Sequence, residues 1–224
     1  LRDISVLTRM DEAASMIDME RVDISVLVGN IINEVSLELD EKHITVINSL
    51  KKSIQVKGNY SLLYSIFRNL MDNAIAYAGS NIQININCFR EDENFYYFSF
   101  ADTGIGVSPE HLNRLFERFY RVDKGRSRKL GGTGLGLAIV KNAVIIHGGN
   151  ISAKNNQGGG LEFVFTLAKE KYYRADRDSG FQFQFVKWQC DRFFVLQCHF
   201  LAVEQDKQVN ITVATRFVPC LQTI

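Results

Sequence analysis

The order of apolar and polar positions divides the chain into alternating blocks of helix and strand. In LRDISVLTRMDEAASMIDME (1–20), Ile4, Leu7, Met10, Ala14 and Ile17 recur at three- and four-residue steps. That spacing predicts a helix with a narrow apolar stripe, which needs other helices to cover it. A short strand is predicted around Arg21–Ile24, a helix over about 25–39, and short strands at ITVIN (44–48) and IQVKG (54–58). Asn59 is placed to cap a helix from Tyr60 to about Ala78. On that helix Leu63, Phe67, Leu70, Ala74 and Tyr77 share an apolar face, while Ser65, Asn69, Asp72, Asn73 and Ala76 share a narrow, mostly polar one.

Strands follow at 81–89, which alternates well, and at 94–101, which is rich in aromatic residues; EDEN (91–94) turns between them. Ser108-Pro109-Glu110 predicts a short helix, with Ser as cap and Pro at the first helical position. Residues 117–131 are basic and irregular. A helix is predicted from about Thr133 to His147, ended by Gly148-Gly149. Two strands, 150–155 and 160–167, close the domain as a hairpin around Gln157-Gly158-Gly159. Blocks of this kind, without strict βαβ repeats, predict an α+β fold. It is a two-layer α/β sandwich, with a mixed sheet on one face and helices on the other. Three segments result: 1–20, 21–167 and 168–224. The last holds the only Trp and three of the four cysteines, with no motif; it reads equally as a small β-rich appendage or as sequence foreign to the domain.

Composition changes this picture little. The 224 residues are 46% hydrophobic and 23% charged, as in ordinary globular proteins. Lys and Arg number 26 against 25 acids, a net charge of +1, which argues against a dedicated nucleic-acid binder. No apolar run approaches the roughly 20 residues of a membrane span. Cys88, Cys190, Cys198 and Cys220 form no CxxC pair, so a structural zinc site is not expected and reduced thiols are. The chain opens on Leu1 and an amphipathic segment, and reads as a piece of a longer protein.

Four constellations carry candidate chemistry. Asn69 and Asn73 lie four residues apart on one helix face. Asparagine disfavours helix interiors, so the pair is either a solvated polar patch or a source of amide oxygen for a hard cation such as Mg²⁺. Asp102-Thr-Gly104-Ile-Gly106 ends the aromatic strand. Its glycines permit a tight turn against a ligand, and its carboxylate can accept from an exocyclic amine such as that of adenine. Gly131-Gly132-Thr133-Gly134-Leu135-Gly136 opens a helix. Glycines there weaken the helix but expose backbone N–H groups to an anion at the helix N-terminus. No Gly-Lys-Ser/Thr follows, so this is not a Walker A loop, and the preceding segment is not the strand a Rossmann fingerprint needs. Between the two glycine elements, 118–129 carries Arg118, Arg121, Lys124, Arg126, Arg128 and Lys129 against one acid, Asp123. It reads either as a lid over a phosphate site or as a solvated charged loop.

In order and spacing, NLMDNA, DTGIGV, LFERFYR and GGTGLGLAIVK resemble the N, G1, F and G2 boxes of bacterial sensor histidine kinases. The likeness covers about 1–167. Gyrase-type ATPases and heat-shock chaperones share related N and glycine boxes but not LFERFYR followed by this form of G2. DISVLTRMDEA in the opening segment is similar to the second dimerisation helix of that family. The resemblance implies a Bergerat-type fold that holds ATP under a mobile lid and transfers its γ-phosphoryl group to a histidine. From there the group passes to an aspartate on a response-regulator receiver domain. By resemblance, Asn73 is the magnesium-binding asparagine and Asn69 its partner in the box. Asp102 reads adenine beside Gly104 and Gly106. Tyr120 and Arg121 lie near the nucleotide, with Phe116 and Phe119 anchoring the lid by packing. Gly132, Thr133, Gly134, Leu135 and Gly136 contact phosphate. Asn73 and Arg121 would serve catalysis. The resemblance further implies a homodimer through the dimerisation helices, and a cytoplasmic domain of a membrane-anchored parent.

Two departures stand out. Ala76 occupies a position where the family often has Lys or Arg, so a phosphate-neutralising charge is missing. No acceptor box is present either: none of His43, His111, His147 and His199 is followed by an acid and a Thr-Pro. His147 reads as a structural helix-end residue. The fragment is therefore expected to bind ATP without phosphorylating itself. The alternatives are a nucleotide-binding module that has lost transfer, or an ATPase or serine kinase of the same nucleotide-binding class.

Overall fold

The computed structural model describes residues 18–51, 53–122 and 133–169, and the backbone of 200–204 and 207–211. The helix expected over 1–17, the middle of the expected lid and most of the tail lie outside the described residues.

Strand β1 (Glu20–Asp23) pairs antiparallel with β3 (Gln55–Gly58) in a small sheet of its own. Asp23 then caps α1 (Ile24–Glu34), its Oδ1 accepting from the N–H of Ser25 at 2.9 Å and of Val26 at 3.2 Å. The single helix predicted over 25–39 is interrupted at Val35 and resumes as α2 (Ser36–Glu41). Val35 is fully buried, and its carbonyl still accepts from Leu39 N–H at 3.0 Å, so the interruption falls at a core side chain with non-helical dihedral angles.

The five-stranded sheet runs β2–β4–β5–β7–β6, comprising β2 (Thr45–Asn48), β4 (Gln83–Glu91), β5 (Phe95–Asp102), β7 (Leu161–Ala168) and β6 (Ile151–Asn155). β2 and β4 are parallel and every other pair is antiparallel, so the sheet is mixed as predicted. EDEN makes the expected turn: Asp92 Oδ1 accepts from the N–H of Asn94 and Phe95. A register shift between Cys88 and Arg90 turns Phe89 outward.

Asn59 caps α3 (Tyr60–Tyr77) through a bond from Leu62 N–H at 3.1 Å. Leu63, Phe67, Leu70 and Ala74 are buried, as the periodicity requires, together with Ile66 and Met71. Phe67 meets Phe98 of β5 edge-on at 5.9 Å and Phe165 of β7 at 5.6 Å, while Phe98 and Phe165 stack at 5.2 Å. Period-two alternation puts Phe98 and Phe100 of β5, and Phe163 and Phe165 of β7, on the helix-facing side. Ser108 and Pro109 start α4 (Pro109–Leu112) where expected, although the Ser108 side chain makes no capping bond. The last helix, α5 (Gly136–Ile146), lies beside α3.

Contacts divide the chain into two compact units, Leu1–Glu170 and Lys171–Ile224. Within the second, β8 (Phe200–Glu204) and β9 (Lys207–Ile211) form an antiparallel pair.

Candidate functional site

The polar face of α3 points along the N-terminal end of α5. Asn69 Nδ2 donates to Ser65 O one turn back, at 2.7 Å, which fixes the amide plane. Its Oδ1 lies so close to Gly136 that a β-carbon there would come within 2.8 Å of it. Glycine at the start of α5 is therefore a packing requirement of the Asn69 amide. Asn73, one turn on, is partly exposed and makes no side-chain hydrogen bond among the described residues.

The glycine-rich segment corrects one expectation. The helix starts at Gly136 and not at Thr133. Gly134 has a φ of 72°, in the left-handed region, and Thr133 Oγ1 accepts from Leu135 N–H at 3.3 Å. Both hold the backbone out of the helical path. The N–H groups of Gly134 and Leu135 thus lie on a loop at the mouth of the helix, and that of Gly136 opens the helix. Leu135 is buried and anchors that loop. Gly132 and the lid cations Lys124, Arg126, Arg128 and Lys129 lie outside the described residues.

Asp102 ends β5 and is only 4% exposed. Its Oδ1 accepts from Gly104 N–H at 2.8 Å and Leu161 N–H at 3.3 Å. Its Oδ2 takes no hydrogen bond among the described residues. Burial pushes this carboxyl above its ordinary value, opposed by the two backbone donors. Three glycines crowd around it. A β-carbon at Gly104 would strike Ala78, one at Gly160 would strike the carbonyl of Asp102, and Gly106 (φ 66°) sits against Asn155. The result is a carboxylate packed closely by backbone, with one oxygen left without a hydrogen-bond partner among the described residues.

The F segment is tied to the glycine-rich loop by its backbone: Phe119 N–H donates to Gly134 O at 2.8 Å. Phe116 packs edge-on against Phe163 at 6.1 Å, as an anchor should. Phe119 departs from expectation. Its ring is 66% exposed and its φ is 64°, so the residue is held by its main chain and not by packing. Tyr120 lies under the Arg114 guanidinium at 4.2 Å, and its hydroxyl meets His111 Nδ1 at 2.6 Å. With Arg118, Phe119, Arg121 and Val122 these residues line a cavity of about 440 Å³.

The expected structural role of His147 holds for a different reason from helix-end charge. It is fully buried, Nδ1 meets Ala143 O at 2.7 Å, and Nε2 accepts from Asn59 N–H at 3.1 Å. That pattern requires the neutral ring with its proton on Nδ1, and burial lowers its pKa.

Among the described residues no three His, Cys, Asp or Glu side chains cluster as a metal site. A Mg²⁺ carried by phosphates needs only one protein oxygen, and the uncommitted Asn73 amide fits that role. Sequence reasoning missed Asn155, Asn156 and Gly160. The Gly158–Gly160 run was legible only as a turn, and nothing local marks the two asparagines.

Comparison with known proteins agrees with this geometry. Residues 58–171 match the family described as histidine kinase-, DNA gyrase B-, and HSP90-like ATPase. The "Sensor-like histidine kinase SenX3" of Mycobacterium tuberculosis is 36% identical over 173 residues, covering 76% of this chain and 42% of that protein. The chain spans under half the length of the curated relatives it matches. Among solved structures, the "Mycobacterial sensor histidine kinase MprB" superposes with a TM-score of 0.58 at 26% identity, covering 67% of this chain and 97% of that one. Full-length ShkA in complex with AMPPNP superposes with a TM-score of 0.62 at 28% identity, covering 74% and 34%.

Proposed function

The chain belongs to the histidine kinase-, DNA gyrase B- and HSP90-like ATPase family, and on that premise we propose that it is the ATP-binding catalytic domain of a sensor histidine kinase. One observation carries the reading. The contact of Gly136 with the Asn69 amide sets the asparagine face of α3 beside the N–H groups that open α5. A triphosphate lying along α3 meets both.

In this reading Asp102 Oδ2 accepts from the adenine amine, while Oδ1 stays tied to Gly104 and Leu161. The N–H groups of Gly134 and Gly136 hold phosphate oxygens, while that of Leu135 is already given to Thr133 Oγ1. Asn73 would offer its amide oxygen to Mg²⁺, which would supply charge neutralisation to the phosphates. Tyr120 and Arg121 flank the nucleotide, and Arg121 supplies charge that Ala76 does not. Transfer of the γ-phosphoryl group needs alignment and charge neutralisation more than covalent help. The acceptor is a histidine outside this sequence, and the onward acceptor a receiver-domain aspartate. Dimerisation through helices of the parent protein brings the acceptor to the site.

Calorimetry tests the pocket. Mg²⁺-dependent binding of ATP is expected, with GTP weaker by about tenfold or more, because Asp102 would face a carbonyl in guanine. Asn73→Ala should remove most of the Mg²⁺ dependence. Equal affinity for ATP and GTP would refute the assignment of Asp102. Ala76 favours a second reading, a module that binds ATP but has lost transfer.

A further inference from the structure

The turn joining β6 to β7 reaches back across the sheet and holds the loop after Asp102. Asn155, the last residue of β6, uses both ends of its amide on one residue: Oδ1 accepts from Val107 N–H at 3.1 Å and Nδ2 donates to Val107 O. Gly106 lies against the same amide, and a β-carbon there would come within 2.9 Å of Oδ1. The ladder partner of Asn155 is Leu161, whose N–H holds Asp102 Oδ1. The next residue, Asn156, donates from Nδ2 to Asp102 O at 3.3 Å. The near end of the loop is fixed separately, by Ile105 N–H to Ala78 O at 3.2 Å. The segment 104–107 is therefore pinned at both ends, and one pin is a side chain.

We propose that Asn155 is a specificity-determining positioning residue for the purine base: its two-bond clasp on Val107 fixes the loop that holds Asp102 in register for the exocyclic amine. This rests on the reading of Asp102 as the base acceptor. Asn155 touches no reacting atom and acts through Gly104 and Asp102. With the clasp open, the Ile105 bond to Ala78 and the Leu161 bond to Asp102 remain, but the loop is held from one side only, and the carboxylate loses part of its fixed aim. Phosphate binding at the other end of the site depends on α3 and α5 and is untouched. The clasp should thus affect which base is chosen more than how tightly a triphosphate is held.

The experiment compares ATP with inosine triphosphate, which carries a carbonyl in place of the amine. Calorimetry is run on the full chain, wild type and the Asn155→Ala and Asn155→Asp variants. Wild type should prefer ATP by about tenfold or more, the effect of one satisfied against one opposed hydrogen bond. Asn155→Ala should reduce the preference to about threefold or less. Because Asn155 is exposed, its melting temperature should stay within about 3 °C of wild type. Asn155→Asp keeps the acceptor for Val107 N–H and should recover part of the preference. An Asn155→Ala variant that weakens both nucleotides equally, or neither, overturns the proposal, because a merely structural staple would leave the ratio unchanged. If wild type itself failed to distinguish the two nucleotides, the base-reading role of Asp102 would fall first and the clasp with it.

Discussion

At the scale of single residues, the base-reading role proposed for Asp102 falls on a carboxylate that the fold would rather keep neutral. Asp102 has its pKa raised by burial. A raised carboxyl favours the folded state below its unfolded value, and that contribution is lost as pH rises through the folded pKa. Ionised Asp102 is thus a liability to the empty protein at neutral pH. Asp102→Asn keeps an oxygen to accept from Gly104 and Leu161, so thermal melting at pH 7 should show equal or greater stability. Calorimetry should show ATP binding weakened by about tenfold or more, since an amide donor would face the adenine amine. Lower stability with intact binding would be the wrong outcome.

His147 has the opposite sign. Its pKa is lowered by burial, against a smaller raising effect of its bond to Ala143. The stability it supports is complete above the ordinary histidine value of about 6.5 and is lost as pH falls toward the lowered one. Melting temperature should drop between pH 7 and pH 5, and His147→Gln should flatten that part of the profile. The Asn59 cap was legible because capping chemistry is local. The His147 bond to Asn59 was not, since it joins residues 88 apart.

Among the elements, the pairing of α3 with α5 is what brings the proposed phosphate-binding residues together. The periodicity of α3 was plain, with a continuous apolar stripe and a capping asparagine in one window. The start of α5 was misplaced by three residues, because glycines that permit a helix permit a left-handed turn equally well. Gly136→Ala should illustrate the difference between the element and its surroundings. In an isolated helix it would stabilise by about 1 kcal/mol. Here the new methyl meets Asn69 Oδ1, so ATP affinity should fall by about tenfold. Adding Asn69→Ala should yield no further loss, the non-additivity expected of contacting residues. Additive losses in calorimetry would separate the two residues. The F segment taught the converse. LFERFYR was recognisable, yet which phenylalanine anchors was not, because Phe116 and Phe119 differ only in what the sheet offers them.

For the whole molecule, the mixed sheet followed from the block order of helices and strands, while the separate β1–β3 pair did not, since short strands carry no mark of their partner. β7 ends one residue beyond the expected 167. Ala168 N–H donates to His147 O at 3.1 Å, and Lys169 N–H to Asn94 O at 2.7 Å, with its ammonium on Glu91 at 2.9 Å. A chain stopped after Glu170 should therefore melt and bind ATP like the full chain. One stopped after Leu167 should melt several degrees lower. A full-length tail that proved necessary for binding would make it part of the site.

The central claim is histidine phosphotransfer, and one measurement addresses it directly. The fragment is incubated with Mg²⁺ and γ-labelled ATP, alone and with a separately made helical hairpin carrying an acceptor histidine. No label is expected on the fragment: His147 is buried and neutral, and His111 is held against Tyr120. The hairpin should acquire base-stable, acid-labile phosphate, and Asn73→Ala should abolish it. Label on the fragment's own histidines, acid-stable label on either chain, or tight ATP binding with a hairpin that stays unlabelled would contradict the account.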